Sequence, residues 1–217
     1  MPRPYRLPLL PFLVSGAVLV AATPALAHPH VWITTRAELD YGPDGALRAV
    51  RHAWTFDPTY SAFAIQGLGQ SPTGPVNPAA LAALARDNAE NLGEQGYFTL
   101  LKVDGRKQDL GKAADPAMTF ADGQLTLRFT LPLKAPVAGT ASLEVFDPTY
   151  FVAFSLADGD GFATLKGAPA SCRATAHRPK SAAPAPAATG MSEAFFEAMT
   201  AASTYGVQFA NRIVVAC

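Results

Sequence analysis

Phe56-Asp57-Pro58-Thr59-Tyr60 and Phe146-Asp147-Pro148-Thr149-Tyr150 are one five-residue word written twice, ninety positions apart (146 − 56). Each copy ends a stretch that reads as a β-strand, Leu47 to Phe56 before the first and Ala141 to Phe146 before the second. Each runs on into aromatic and small apolar residues, Ser61-Ala62-Phe63 in one case and Phe151-Val152-Ala153-Phe154 in the other. Asp before Pro suits a turn: the carboxylate accepts local backbone N–H groups, while Pro fixes its own φ and holds the Asp extended. The repeat predicts two related β-hairpin units, each closed by the same turn (Asp57, Pro58 and Tyr60; Asp147, Pro148 and Tyr150) and pinned by aromatic side chains.

Outward from these words the pattern stays β-rich. Val31 to Tyr41 alternates like a strand, Gly42-Pro43-Asp44-Gly45 is a turn, and Leu47 to Phe56 returns. Asn77-Pro78 supplies an N-cap and first helical residue, and Leu81, Leu84, Asn88 and Leu92 mark a long helix ending near Gly93 or Gly96. Phe98 to Val103 reads as a strand, and Met118 to Phe120 and Leu125 to Leu131 flank Asp122-Gly123, a strong hairpin signal. Phe151 to Leu156 adds a strand before Asp158-Gly159-Asp160-Gly161, which reads as a hairpin turn. Ser192-Glu193 opens a short helix through Met199, and the tail from Val207 to Val215 fits strand or helix. The expected class is α+β, mainly antiparallel and sandwich-like, with one long helix and a short C-terminal helix.

The first 27 residues read as an export signal: Arg3 and Arg6, an apolar run from Leu7 to Ala22, and an Ala25-Leu26-Ala27 cleavage site. The run is short for a bilayer span and contains Pro8 and Pro11, which favours cleavage over a lasting membrane anchor. Removal leaves 217 − 27 = 190 residues with 17 − 2 = 15 basic against 17 acidic side chains, no footprint for nucleic acid. The organisation expected is a signal at 1–27, a β-rich domain at 28–178, a Pro/Ala linker at 179–190 and a C-terminal helix and tail at 191–217. The localisation expected is the periplasm. Cys172 and Cys217, an even pair in an exported chain, read first as a disulfide and second as a free or metal-binding thiol pair.

Cleavage after Ala27 would make His28 the first residue, with Pro29 and His30 behind it. A terminal amine and its own imidazole chelate a borderline metal such as copper, nickel, cobalt or zinc. The square-planar amino-terminal mode is disfavoured, because Pro29 has no N–H to lose. If Tyr41 pairs with Ala46, paired positions sum to 87, which sets His30 opposite Asp57 and His52 opposite Thr35. Asp57 is then a candidate ligand or an orienter of a ligating imidazole, and His52 a second candidate. No motif for a serine nucleophile, a phosphate loop, a zinc protease or a C-x-x-C pair is present.

His28-Pro29-His30-Val31-Trp32-Ile33 after a signal, Phe56-Asp57-Pro58, and Phe146-Asp147-Pro148-Thr149-Tyr150-Phe151-Val152-Ala153-Phe154 carry a likeness. Over roughly His28 to Ser155 the chain resembles the bacterial exported domain-of-unknown-function family numbered one thousand and seven, labelled a periplasmic component of an uncharacterised ABC-type transport system. The resemblance implies transition-metal handling beside an inner-membrane metal transporter. The tail from Ser171 onward looks particular to this chain. Three functions follow as expectations: a metal-binding transport accessory, a copper-dependent oxidative enzyme using the N-terminal His chelate, or a metal-free partner-binding structural module.

Overall fold

A computed structural model describes residues 29–68, 76–179 and 205–217. The signal expected at 1–27, His28, the linker expected at 179–190 beyond Pro179 and the helix expected at 192–199 lie outside the described residues. The order is β1 (Val31–Tyr41), β2 (Leu47–Phe56), α1 (Pro58–Gly67), α2 (Pro78–Glu94), β3 (Thr99–Val103), β4 (Arg106–Lys107), β5 (Ala114–Ala121) and β6 (Gln124–Val137). Then come β7 (Ala141–Val145), β8 (Val152–Leu156), β9 (Ala163–Lys166), β10 (Arg173–His177) and β11 (Asn211–Ala216). Strands dominate, and the class is α+β.

The first sheet runs β5-β6-β2-β1-β8, with β9 also on β1; the second runs β10-β11-β7-β3-β4. Neighbours are antiparallel except β8 and β9, which both lie parallel to β1. The first sheet is therefore mixed. Asp158–Gly161 is not a hairpin turn. It is a short step between two strands that follow the same edge of β1, at Val31–Thr35 and then at Ala37–Asp40.

Alternation on β1 and β2 puts Leu39, Leu47 and Val50 inward, where they meet Leu101, Leu143, Ile213 and Val215 of the second sheet. A second apolar cluster gathers Trp54, Phe129, Leu127 and Phe154 with Ile65 of α1 and Ala85 of α2. Each such large side chain contributes about 1.5–3 kcal/mol by leaving water. Asn77 caps α2 through Oδ1, which accepts from the Ala79 N–H at 2.9 Å, with Pro78 at the first helical position.

The two repeated words take different local structures. Asp57 is the N-cap of α1, a helix the sequence reading did not anticipate, and its Oδ1 accepts from the Tyr60 N–H at 2.9 Å. Ser61, fully buried, donates to the Asp57 carbonyl at 2.7 Å and accepts from the Leu125 N–H at 3.0 Å, tying α1 to β6. After the second copy the chain turns within four residues into β8, with Tyr150 at φ 58° and its N–H on the Asp147 carbonyl. Asp-Pro thus opens a helix once and closes a turn once.

The register also differs from the expected one. Ile33 faces Phe56 and Thr35 faces Trp54, so pairs sum to 89, and a bulge at Asp40/Tyr41 leads into a loop whose Gly42 N–H reaches the Ala46 carbonyl. The shift of two preserves every face while moving partners: His52 lies opposite Ala37, and Trp32 takes the place beside Asp57.

Candidate functional site

The two repeated words converge at the start of the parallel pair β1–β8. Asp57 holds the first strand: its Oδ2 accepts from the Trp32 N–H at 3.1 Å, and its own N–H donates to the Trp32 carbonyl at 2.9 Å. Asp147 holds the second: Oδ2 accepts from the Val152 N–H at 2.9 Å, and Oδ1 from the Thr149 N–H and hydroxyl, both at 2.8 Å. In each case one oxygen stabilises the local turn and the other grips the first turns of a strand. Two carboxylates separated by ninety residues (147 − 57) perform one mechanical task on neighbouring strands.

The clamps differ in depth. Asp147 is buried and Asp57 half-buried, and Tyr60 stacks on Phe56 beside Asp57. Burial first, and then the Asp57 charge, raise the Tyr60 phenol above its ordinary pKa. Asp147→Ala should cost about 3 kcal/mol, because all three hydrogen bonds to a buried carboxylate vanish and the turn into β8 loses its brace. Asp57→Ala should cost about 1 kcal/mol, the usual value of an N-cap. Urea unfolding of both variants checks the ranking; equal losses would refute the unequal clamps.

Around this clamp stand the sequence candidates. His30 is exposed; its N–H donates to the Phe151 carbonyl at 2.9 Å and its ring lies 4.6 Å from that of Phe151. His28 lies outside the described residues. His52 sits elsewhere, 2% exposed in the core, its ring stacked on Phe129 at 5.0 Å and edge-on to Trp54 at 5.6 Å. Thr99 donates its hydroxyl proton to the Tyr97 carbonyl at 2.7 Å, so the same oxygen accepts from His52 Nε2–H at 3.3 Å. Nδ1 is buried without a hydrogen-bond partner among the described residues. Desolvation lowers the imidazole pKa from 6.5 to about 3. His52 is a neutral core residue, and the structure does not bring it to His30 or Asp57.

Among the described residues, no three of His, Cys, Asp and Glu group closely enough to hold a metal ion. Both Asp57 oxygens already accept backbone N–H groups. The described residues do not by themselves form a metal cage, so a site here depends on His28 as well as His30. Cys172 and Cys217 are joined in a disulfide at the end of the β10–β11 pair, which removes the free-thiol alternative.

One feature of this end of the molecule escaped the sequence reading. Trp32, Tyr150, Phe154 and Phe209 line a 340 Å³ cleft with Asp158 and Arg178. Tyr150 stacks on Phe209 at 4.0 Å, and the Gly206 N–H donates to the Pro148 carbonyl at 2.8 Å. A Cβ on Gly206 would collide with the Asp147 carbonyl oxygen, so only glycine lets the chain cross the second Asp-Pro turn this closely. The signal was the alternation of β1, which puts Trp32 on the face opposite Val31 and Ile33.

The fold and this end of it define a β-rich α+β domain whose repeated Asp-Pro words anchor two parallel strands. The chain belongs to the family described as "Protein of unknown function (DUF1007)", which matches residues 13–217. The match continues through Cys217, beyond the His28 to Ser155 stretch that carried the likeness and across the tail from Ser171. No curated protein matches the chain.

Proposed function

We propose that this protein is a periplasmic transition-metal-binding accessory of an inner-membrane metal transporter, binding rather than catalysing. His28 and His30 would supply the ligands after signal removal, taking nickel, cobalt, zinc or copper. The observation that carries this reading is the placement of His30: exposed, and held on a fixed strand start by the Phe151 carbonyl and the Asp57 clamp next door. Asp57 acts as an anchor for that strand start. The scaffold beneath is sandwich-like, and the two FDPTY units are related pieces of it.

Metal analysis of correctly processed protein tests the proposal. Stoichiometric metal in the natural chain and in His52→Gln, lost in His28→Ala and His30→Ala, is the expected result. Equal, substoichiometric metal in all four would end it.

A metal-free partner-binding module is the second reading, favoured by the exposed aromatics Trp32 and Phe151 around the same strand starts. Unchanged transporter capture under strong chelation would support that reading instead.

A further inference from the structure

We propose that the outer face of the first sheet carries a site for a phosphate-type oxyanion, held between Arg36 and Arg128. The face is assembled by register. Arg36 on β1 lies opposite Ala53 on β2, and Ala53 lies opposite Arg128 on β6. The two arginines therefore stand on the same face, two strand spacings apart, about 10 Å between backbones. Ala53 between them is too short to fill the gap. The result is a 310 Å³ cleft whose lining includes Arg36, Arg128, Arg51, Thr130 and Asp115.

The charges on this face are unequally satisfied. Arg51 is fully engaged, with Nη1 on Glu38 at 2.6 Å and Nη2 on Asp40 at 2.8 Å. Among the described residues Arg128 donates only to the Thr119 hydroxyl, at 3.2 Å. Arg36 makes no hydrogen bond or ion pair among the described residues, and it is exposed. Asp115 lines the cleft and forms no ion pair among the described residues. Of the charged side chains lining the cleft, Arg51 is matched by Glu38, and Arg36 and Arg128 stand against Asp115 alone, which leaves an excess positive charge over a neutral alanine floor.

The neighbouring rows supply further donors. Thr119, Thr126, Thr55, Thr34 and Ser155 pair in succession across β5, β6, β2, β1 and β8, one row away from the arginines. On the other side of the arginine row, Thr130 lies opposite Arg51. No bulky apolar side chain interrupts the three rows at β2, where Thr55, Ala53 and Arg51 face out. Guanidinium forks match the geometry of phosphate oxygens, and two facing forks match a doubly charged anion better than one. This site lies apart from the histidine end of β1 and stands independently of the metal proposal.

Titration calorimetry of the full chain with inorganic phosphate at low salt tests the site, with a parallel arm of phosphatidylglycerol vesicles. Phosphate binding should weaken at least about tenfold in Arg36→Gln and in Arg128→Gln. Ala53→Glu, which places a carboxylate between the forks, should abolish it, and Asp115→Asn should tighten it. Vesicle binding without free-phosphate binding, lost in both arginine variants, would support the same chemistry supplied by a lipid headgroup. Absence of binding in both arms, or binding that all four folded variants retain unchanged, would overturn the proposal. Circular dichroism establishes that each variant is folded before its binding is read.

Discussion

Acidification from pH 7 to pH 4 should strip about 3 kcal/mol from this protein through His52 alone. The imidazole titrates near 6.5 in the unfolded chain, whereas desolvation among Trp54 and Phe129 lowers its folded pKa to about 3. A base with a depressed folded pKa leaves stability unchanged above 6.5. Below that pH the unfolded chain takes up a proton that the native core refuses. Stability then falls by about 1.4 kcal/mol per pH unit until the folded group itself titrates. His52→Gln keeps a donor for Thr99 and removes the titration, so its stability relative to the natural protein should improve steadily as pH falls. Urea unfolding at a series of pH values measures this. Parallel profiles for the two proteins would show that His52 does not carry the penalty.

The second large effect is expected from the disulfide. Cys172 and Cys217 close a loop of 217 − 172 + 1 = 46 residues. They continue the pairing of Arg173 with Ala216, so the link falls where β10 and β11 end together. Chain-entropy reasoning for a loop of this length gives about 4 kcal/mol. The Cys172→Ala/Cys217→Ala double variant should lose about that much, and reduction should lower the unfolding midpoint of the natural protein but leave the variant unmoved. Identical midpoints for the oxidised natural protein and the double variant would show that the link contributes no stability. Cys172 is buried against the core shared by both sheets, so some of the loss comes from packing as well.

Much of the fold was legible because its local signals were unambiguous. Alternation placed β1 and β2 at their observed bounds, and Asn77-Pro78 announced α2 in the standard grammar of a capped helix. The same grammar is present in Asp57-Pro58, but the identical word at Asp147-Pro148 closes a turn, so the five residues alone do not specify a helix. Their difference lies in the following residues. Ser61-Ala62 continues a helix, whereas Phe151-Val152 carries aromatic and β-branched side chains that favour a strand. The register resisted prediction for another reason: one bulge at Asp40/Tyr41 and a slightly longer loop move every pair by two without disturbing inside and outside. The parallel seam between β1 and β8 joins residues about 120 apart, and no local pattern encodes such a pairing. Of the site, the histidines could be picked out by residue type, but burial separates His30 from His52, and burial depends on the whole sheet.

The position of β11 has a consequence for the order in which the molecule assembles. Among the described residues it is the only strand that bonds β10, and it occupies one flank of β7, yet it follows every other described strand. During vectorial emergence of the polypeptide, β7 pairs early with β3 while its opposite flank waits for a segment more than sixty residues downstream (211 − 145 = 66). Through that interval the waiting flank is an acceptor for any extended strand, including β11 from a second molecule. Strand exchange between copies is the characteristic failure this topology invites, and the covalent link at Cys172 keeps each chain's last strand beside its own β10.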